Sequence, residues 1–210
     1  MSPDQVLLFI GAALLLALAP GPDNLGVLAL GVSRGRGEAL GFALGCAAGC
    51  INHTLLAVLG VSALIAASPL AFRTLQLAGA AYLVWIGIQA LRSRGAQLAN
   101  LDAPSTATAG FFPYFRRGLI ANAINPKVAL FFLSFLPQFI RAEGWSAPLQ
   151  LAVLGALFAL VAALVFSAIA LAAAPLGAWL RRRERLTRWL DRATGGLFVG
   201  LGILTAAGIR

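Results

Sequence analysis

The stretch Leu18-Ala19-Pro20-Gly21-Pro22-Asp23-Asn24 interrupts one long apolar run, and Asn125-Pro126-Lys127 interrupts another. Proline lacks a backbone donor and clashes with the preceding turn, so each run predicts a helix broken at that point. A charge follows each break directly: Asp23 after Pro22, and Lys127 after Pro126. A charge at the centre of a membrane helix costs roughly 2.5–3.5 kcal/mol on insertion scales and calls for a partner, a wet cavity or a function. Freed backbone groups make the same demand, because lipid offers them no hydrogen bonds. Two broken helices bearing two charges therefore predict a polar cavity between two halves of a membrane protein.

The rest of the chain fits that solvent. Its 210 residues are 60% apolar and 11% charged, against about 45–50% and 25% in soluble domains. About 20 apolar residues are needed to cross the bilayer, and apolar segments run at about 5–30, 39–67, 70–91, 118–140, 147–180 and 190–209. The expectation is an all-α integral membrane protein of six transmembrane helices, forming one transporter domain over 1–210 with no separate soluble domain. Pro175 is expected to end or bend the fifth helix. Met1-Ser2-Pro3-Asp4 has no basic region and the apolar stretch after it is long for a signal peptide, so the first helix is expected to be retained.

The net charge of +9 comes in short arginine clusters between apolar segments, the pattern of membrane anchors rather than of a nucleic-acid interface. Arg34, Arg36, Arg92, Arg94, Arg116, Arg117, Arg181, Arg182, Arg183, Arg185, Arg188 and Arg192 fall in odd-numbered loops or at their edges; Arg73, Arg141 and Arg210 fall on the other side. Basic residues in short loops stay cytoplasmic, so both termini are expected outside the cytoplasm. The longest loop, 92–117, is then cytoplasmic and separates a first three-helix half, 1–91, from a second, 118–210. Three spans per half means opposite orientations, the plan of two inverted repeats with proline-broken first helices.

The breaks supply the candidate hinges Pro20, Gly21, Pro22 and Pro126, and the candidate substrate-binding residues Asp23, Asn24, Asn122, Asn125 and Lys127. Asp23 lies roughly 10 Å and Lys127 roughly 14 Å from the cytoplasmic ends of their segments, at about 1.5 Å per residue. Two readings stay open: a structural ion pair, or a divided site in which Asp23 faces a substrate ammonium and Lys127 a carboxylate. The three asparagines can satisfy broken backbone or hydrogen-bond a zwitterion. Asp23 and His53 are candidates for proton coupling.

Cys46, Cys50 and His53 share one helical face, which makes metal or other cation efflux an alternative. Against it, zinc usually takes four ligands and no further Cys or His exists. Gly41, Gly45 and Gly49 on the same helix, and the pair Gly196 and Gly200, offer close packing within one chain or between copies in a homo-oligomer. No metal site or cofactor is expected. An enzyme is not expected either, since no nucleophile pairs with His53, the single histidine. Phe111 to Arg117 and Arg181 to Leu190 mix aromatic or apolar residues with arginine, as segments resting on membrane lipids do.

The chain resembles the LysE/RhtB family of bacterial amino-acid exporters. The likeness rests on Pro20-Gly21-Pro22, on Gly79-Ala80-Ala81-Tyr82-Leu83-Val84-Trp85-Ile86-Gly87, on Asn125-Pro126-Lys127 with Phe131-Phe132, and on Phe135-Leu136-Pro137-Gln138-Phe139, in order along the chain. It implies an inner-membrane exporter of amino acids or close derivatives, driven by the proton motive force. By residue it gives weight to Pro20, Gly21, Pro22, Asn125, Pro126 and Lys127, whereas the roles of Asp23 and His53 come from their placement alone. With no second acidic residue expected in mid-membrane, a neutral amino acid is favoured.

Overall fold

A computed structural model of the chain describes residues 1–61, 67–92, 110–141, 144–181 and 184–207, and every regular element among them is helical. Helix α1, Pro3–Leu18, begins with a capping box: the Ser2 hydroxyl accepts from the Gln5 amide while the Gln5 side chain accepts from Ser2 N–H. It stops before Pro20, since the residue preceding proline is pushed out of helical conformation. Helix α2, Pro22–Ser33, restarts with proline in its first turn, where the missing N–H costs nothing. The two are bent by 54° across the break and together are long and apolar enough for one membrane span.

A left-handed Gly35, φ 107°, turns the chain into α3, Arg36–Leu56, which runs on into a π-helical turn at Ala57–Val61. Helix α4 covers Pro69–Arg92. Helix α5, Phe111–Ala123, and α6, Pro126–Leu130, repeat the broken design: the Asn125 side chain caps α6 by accepting from Lys127 N–H at 3.0 Å. Beyond α6 the chain first widens into a π turn, Phe131–Phe135, and then tightens into a 3₁₀ turn, Leu136–Phe139. The bend at this second break is 49°. Helices α7, Ala147–Arg181, and α8, Glu184–Ala207, complete the chain.

Among the described residues three helices are long and apolar enough to cross a membrane, at Arg36–Gly60, Leu70–Arg92 and Ala147–Gly177, and the two bent pairs raise the number to five. The expected sixth span corresponds to α8, whose first turns carry Glu184, Arg185, Arg188, Asp191 and Arg192 and dilute its apolar character. One other expectation needs correction, and one is narrowed. Helix α5 starts at Phe111, not near residue 118, because Arg116 and Arg117 belong to its first turns; the Arg117 guanidinium lies over the Tyr114 ring, 5.0 Å from its centroid. Helix α7 continues past Pro175 to Arg181 without ending there. Proline removes only one backbone donor, and a long helix can absorb that loss. The expected interfacial segment 181–190 falls partly outside the described residues.

Packing divides the molecule unequally. The glycine stripe of α3 lies on α5: a side chain at Gly41, Gly45 or Gly49 would run into the backbone of Phe111, Phe115 or Leu119. The stripe thus closes an intrachain contact, while among the described residues nothing lies within 4 Å of a side chain added at Gly196 or Gly200. Helices α1 and α2 pack on α7, α3 also packs on α7, and α4 and α8 pack along each other. Gly87 and Gly195 approach backbone to backbone at the α4–α8 contact. The core of the larger group is an aromatic cluster of Phe9, Phe131, Phe132, Phe135, Phe139 and Phe158, with neighbouring ring centroids 5.1–6.3 Å apart. The result is a bundle of α1–α3 and α5–α7 flanked by a two-helix arm, α4 and α8.

Candidate functional site

The two breaks meet. Lys127, in the first turn of α6, extends its ammonium to the carbonyl of Ala19 at the end of α1, 2.8 Å away. Residue 19 has that carbonyl free because α1 stops there and Pro20 and Pro22 hold the chain extended between the helices. The aliphatic stem of Lys127 covers Gly21, where a methyl group would already crowd it. Asn24 anchors the other side of the same break, donating to the Ala17 carbonyl at 2.7 Å.

Behind the breaks lies a chain of polar groups in the protein core. Asp23 is 4% exposed and its carboxylate accepts from the Asn122 side-chain amide at 2.8 Å. The Asn122 backbone carbonyl in turn lies 2.8 Å from His53 Nε2. A carbonyl can only accept, so Nε2 carries a proton. The Asn122 side-chain carbonyl is buried and has no hydrogen-bond partner among the described residues. Asp23 and Lys127 line one small void but do not form a direct ion pair, each being held by the partner just named. The structure therefore brings Asp23, Asn24, Asn122, Asn125 and Lys127 together around the two breaks.

Lys127 also faces a second, larger space. A cavity of about 670 Å³ separates the bundle from the arm. Its bundle wall is built from Gly21, Pro22, Leu25, Asn125, Pro126 and Lys127. The opposite wall comes from Tyr82, Trp85 and Gln89 on α4 and from Asp191, Thr194 and Phe198 on α8. The Lys127 ammonium lies 5.2 Å from the Phe198 ring centroid, so the cation of one wall touches an aromatic face of the other. A cavity with apolar and aromatic walls, a few convergent polar groups and this volume fits a small polar molecule.

His53 does not border this cavity; it is 2% exposed and packs with its ring centroid 5.7 Å from that of Phe132. Cys46 and Cys50 are fully buried, and Cys50 donates to the Cys46 carbonyl. Among the described residues no three His, Cys, Asp or Glu side chains form a cluster that could hold a metal ion. The sequence reading missed Asp191, which is the one acidic residue of the cavity's lining, Asp23 lying outside it. Its signal was available in the spacing: Asp191, Thr194 and Phe198 fall at i, i+3 and i+7, one face of a helix.

Two proline-broken helices around a lysine-bearing cavity restate in three dimensions the motifs from which the resemblance was read, and comparison with known proteins bears it out: the profile of the LysE type translocators matches residues 14–208. The chain belongs to the LysE family. Among relatives of this LysE-family chain, an uncharacterised membrane protein of Pseudomonas aeruginosa is 36% identical over 90% of this chain and 88% of its own length. A homoserine/homoserine lactone efflux protein of Salmonella typhi is 32% identical, covering 92% of this chain and 91% of its own. A leucine efflux protein of Enterobacter sp. (strain 638) is 28% identical over 95% and 93%. No solved structure matches the chain.

Proposed function

We propose that this LysE-family chain exports a neutral amino acid or a close derivative from the cytoplasm across the bacterial inner membrane, by alternating access coupled to the proton motive force. One observation carries the reading: the two broken helices converge on Lys127, which faces a cavity of about 670 Å³ sized for a small solute. Efflux relatives named for homoserine and leucine, both neutral at the side chain, support the substrate class.

The arginine distribution supports termini outside and a cavity mouth on the cytoplasmic side, where Arg92 lines the rim. Six crossings require α8 to count as one; its 24 residues reach roughly 36 Å at about 1.5 Å each, and it packs along α4. The helix pairings support inverted repeats. Exchanging the halves turns the α3–α5 contact into the contact of α7 with α1 and α2, and returns the α4–α8 contact to itself. The bodies that rock are the bundle and the arm, since the cavity lies between them. Proton coupling falls to Asp23 and His53, joined through Asn122.

The test is counterflow of labelled amino acids in proteoliposomes, with and without an imposed pH gradient. A neutral amino acid is expected to exchange, a gradient to drive it uphill, and Lys127→Ala to reduce the rate at least tenfold. Flux no faster than in protein-free vesicles for every amino acid tried, or full activity of Lys127→Ala, would overturn the proposal.

A further inference from the structure

Asp191 stands on the second turn of α8, and its Oδ2 is buried without a hydrogen-bond partner among the described residues. A buried carboxylate oxygen with no donor is costly, and such a group is retained where something else supplies the donor. Asp191 lines the large cavity opposite the wall that bears Lys127, and it is the single acidic residue of that lining. Asp23 is not among those residues; it faces inward, toward Asn122.

We propose that Asp191 is the group that recognises the α-ammonium of the transported amino acid, while Lys127 takes its α-carboxylate. The assignment rests on the export reading above and moves the ammonium site from Asp23 to the arm. Charge count supports it. The Lys127 ammonium spends one of three donors on the Ala19 carbonyl, leaving two for a carboxylate. Spacing supports it as well. Asp191 and Phe198 are seven residues apart, roughly 10 Å along α8 at about 1.5 Å each, and Phe198 is the residue beneath the Lys127 ammonium. A zwitterion held by a charge-assisted hydrogen bond of about 2.8 Å at either end spans roughly 8–9 Å in all. Thr194, one turn from Asp191 on the same face, adds a hydroxyl to the same wall.

The chemistry also selects the cargo. Asp191 and Lys127 across the cavity match the two charges of an α-amino acid, and the remaining ionised residue of the lining, Arg92, is a cation that repels a cationic side chain rather than receiving it. Neutral amino acids are therefore carried and basic ones rejected. A substrate that bridges the two walls ties arm to bundle, so its binding and the closing of the cavity become one event.

The experiment compares a neutral amino acid with the 2-hydroxy acid of the same side chain as competitors in the counterflow assay, in proteoliposomes of the full chain. Wild type is expected to favour the amino acid at least tenfold, because the hydroxy acid offers no ammonium. Asp191→Asn should bring the ratio close to one, with the hydroxy acid's own inhibition constant little changed, whereas Asp191→Glu should keep a clear preference. Should Asp191→Asn fail to assemble, Asp191→Ser is read in the same way. A preference that survives in the Asn or Ser variant, or a wild type that carries amino acids without favouring them over hydroxy acids, overturns the assignment and leaves export standing. A wild type that moves no amino acid overturns export, and the assignment falls with it.

Discussion

Asn122 holds two titratable side chains at once, its amide on Asp23 and its backbone carbonyl on His53. Asn122→Ala keeps the carbonyl and deletes the amide, so Asp23 is left buried without its donor. The expected cost is about 1–3 kcal/mol of stability, checked as a lowered melting temperature of the detergent-solubilised protein. At this scale the sequence was most legible where a polar group stands out against an apolar run. Asp23, Asn122, Asn125 and Lys127 could be singled out because lipid-embedded segments have no casual use for them. Asp191 was hidden for the opposite reason: among Arg185, Arg188 and Arg192 an acid reads as part of a solvated, membrane-facing stretch, and only the packing of α8 on α4 turns it toward a cavity.

Helix breaks and glycine faces set the elements. Gly45 lets α3 approach α5 until a side chain would meet the Phe115 carbonyl and the Leu119 amide. Gly45→Val is expected to destabilise by about 1–3 kcal/mol through overpacking, whereas Gly200→Ala, with nothing within 4 Å, should be neutral. Both changes can be read in one thermal-unfolding series. The breaks were legible because proline acts locally, at known positions of a turn. The start of α5 was not: helix and loop differ little in composition where arginines reach the interface, and the Arg117–Tyr114 contact, one turn apart on the same helix, exists only once that turn is helical. Nor could period or propensity show whether the α3 stripe faces α5 or another copy. That is decided by which helix the loops deliver alongside it.

For the whole molecule, the halves of the sequence and the bodies of the structure do not coincide. The proposed repeat divides the chain at the 92–117 loop, yet the cavity lies between the bundle and the arm, which takes one helix from each side of that loop. Motion between these bodies can be tested by bridging the walls. Leu25→Cys on α2 and Ile86→Cys on α4 place thiols on opposite sides of the cavity, and a short reducible bifunctional reagent joining them is expected to abolish counterflow until the link is cleaved. Each single variant treated with the reagent should keep more activity than the pair; Cys46 and Cys50, fully buried, are shielded from it. Undiminished flux in the linked pair would show that the arm does not move.

At the far end of α1, roughly 22 Å from the break at about 1.5 Å per residue, the molecule is fastened differently. Gln150 accepts from the Gln5 amide at 2.9 Å and from the Arg141 backbone amide at 3.1 Å, and it donates to the carbonyls of Arg141 and Trp145; Gln5 also donates to the carbonyl of Phe139. Every bond in this clasp joins neutral partners. An electric field across the membrane does work only on charge that moves through it, about 2.3 kcal/mol per elementary charge per 100 mV. The bonds themselves carry no net charge, so in the proposed transport cycle a membrane voltage acts on the clasp only through charged neighbours such as the Arg141 side chain.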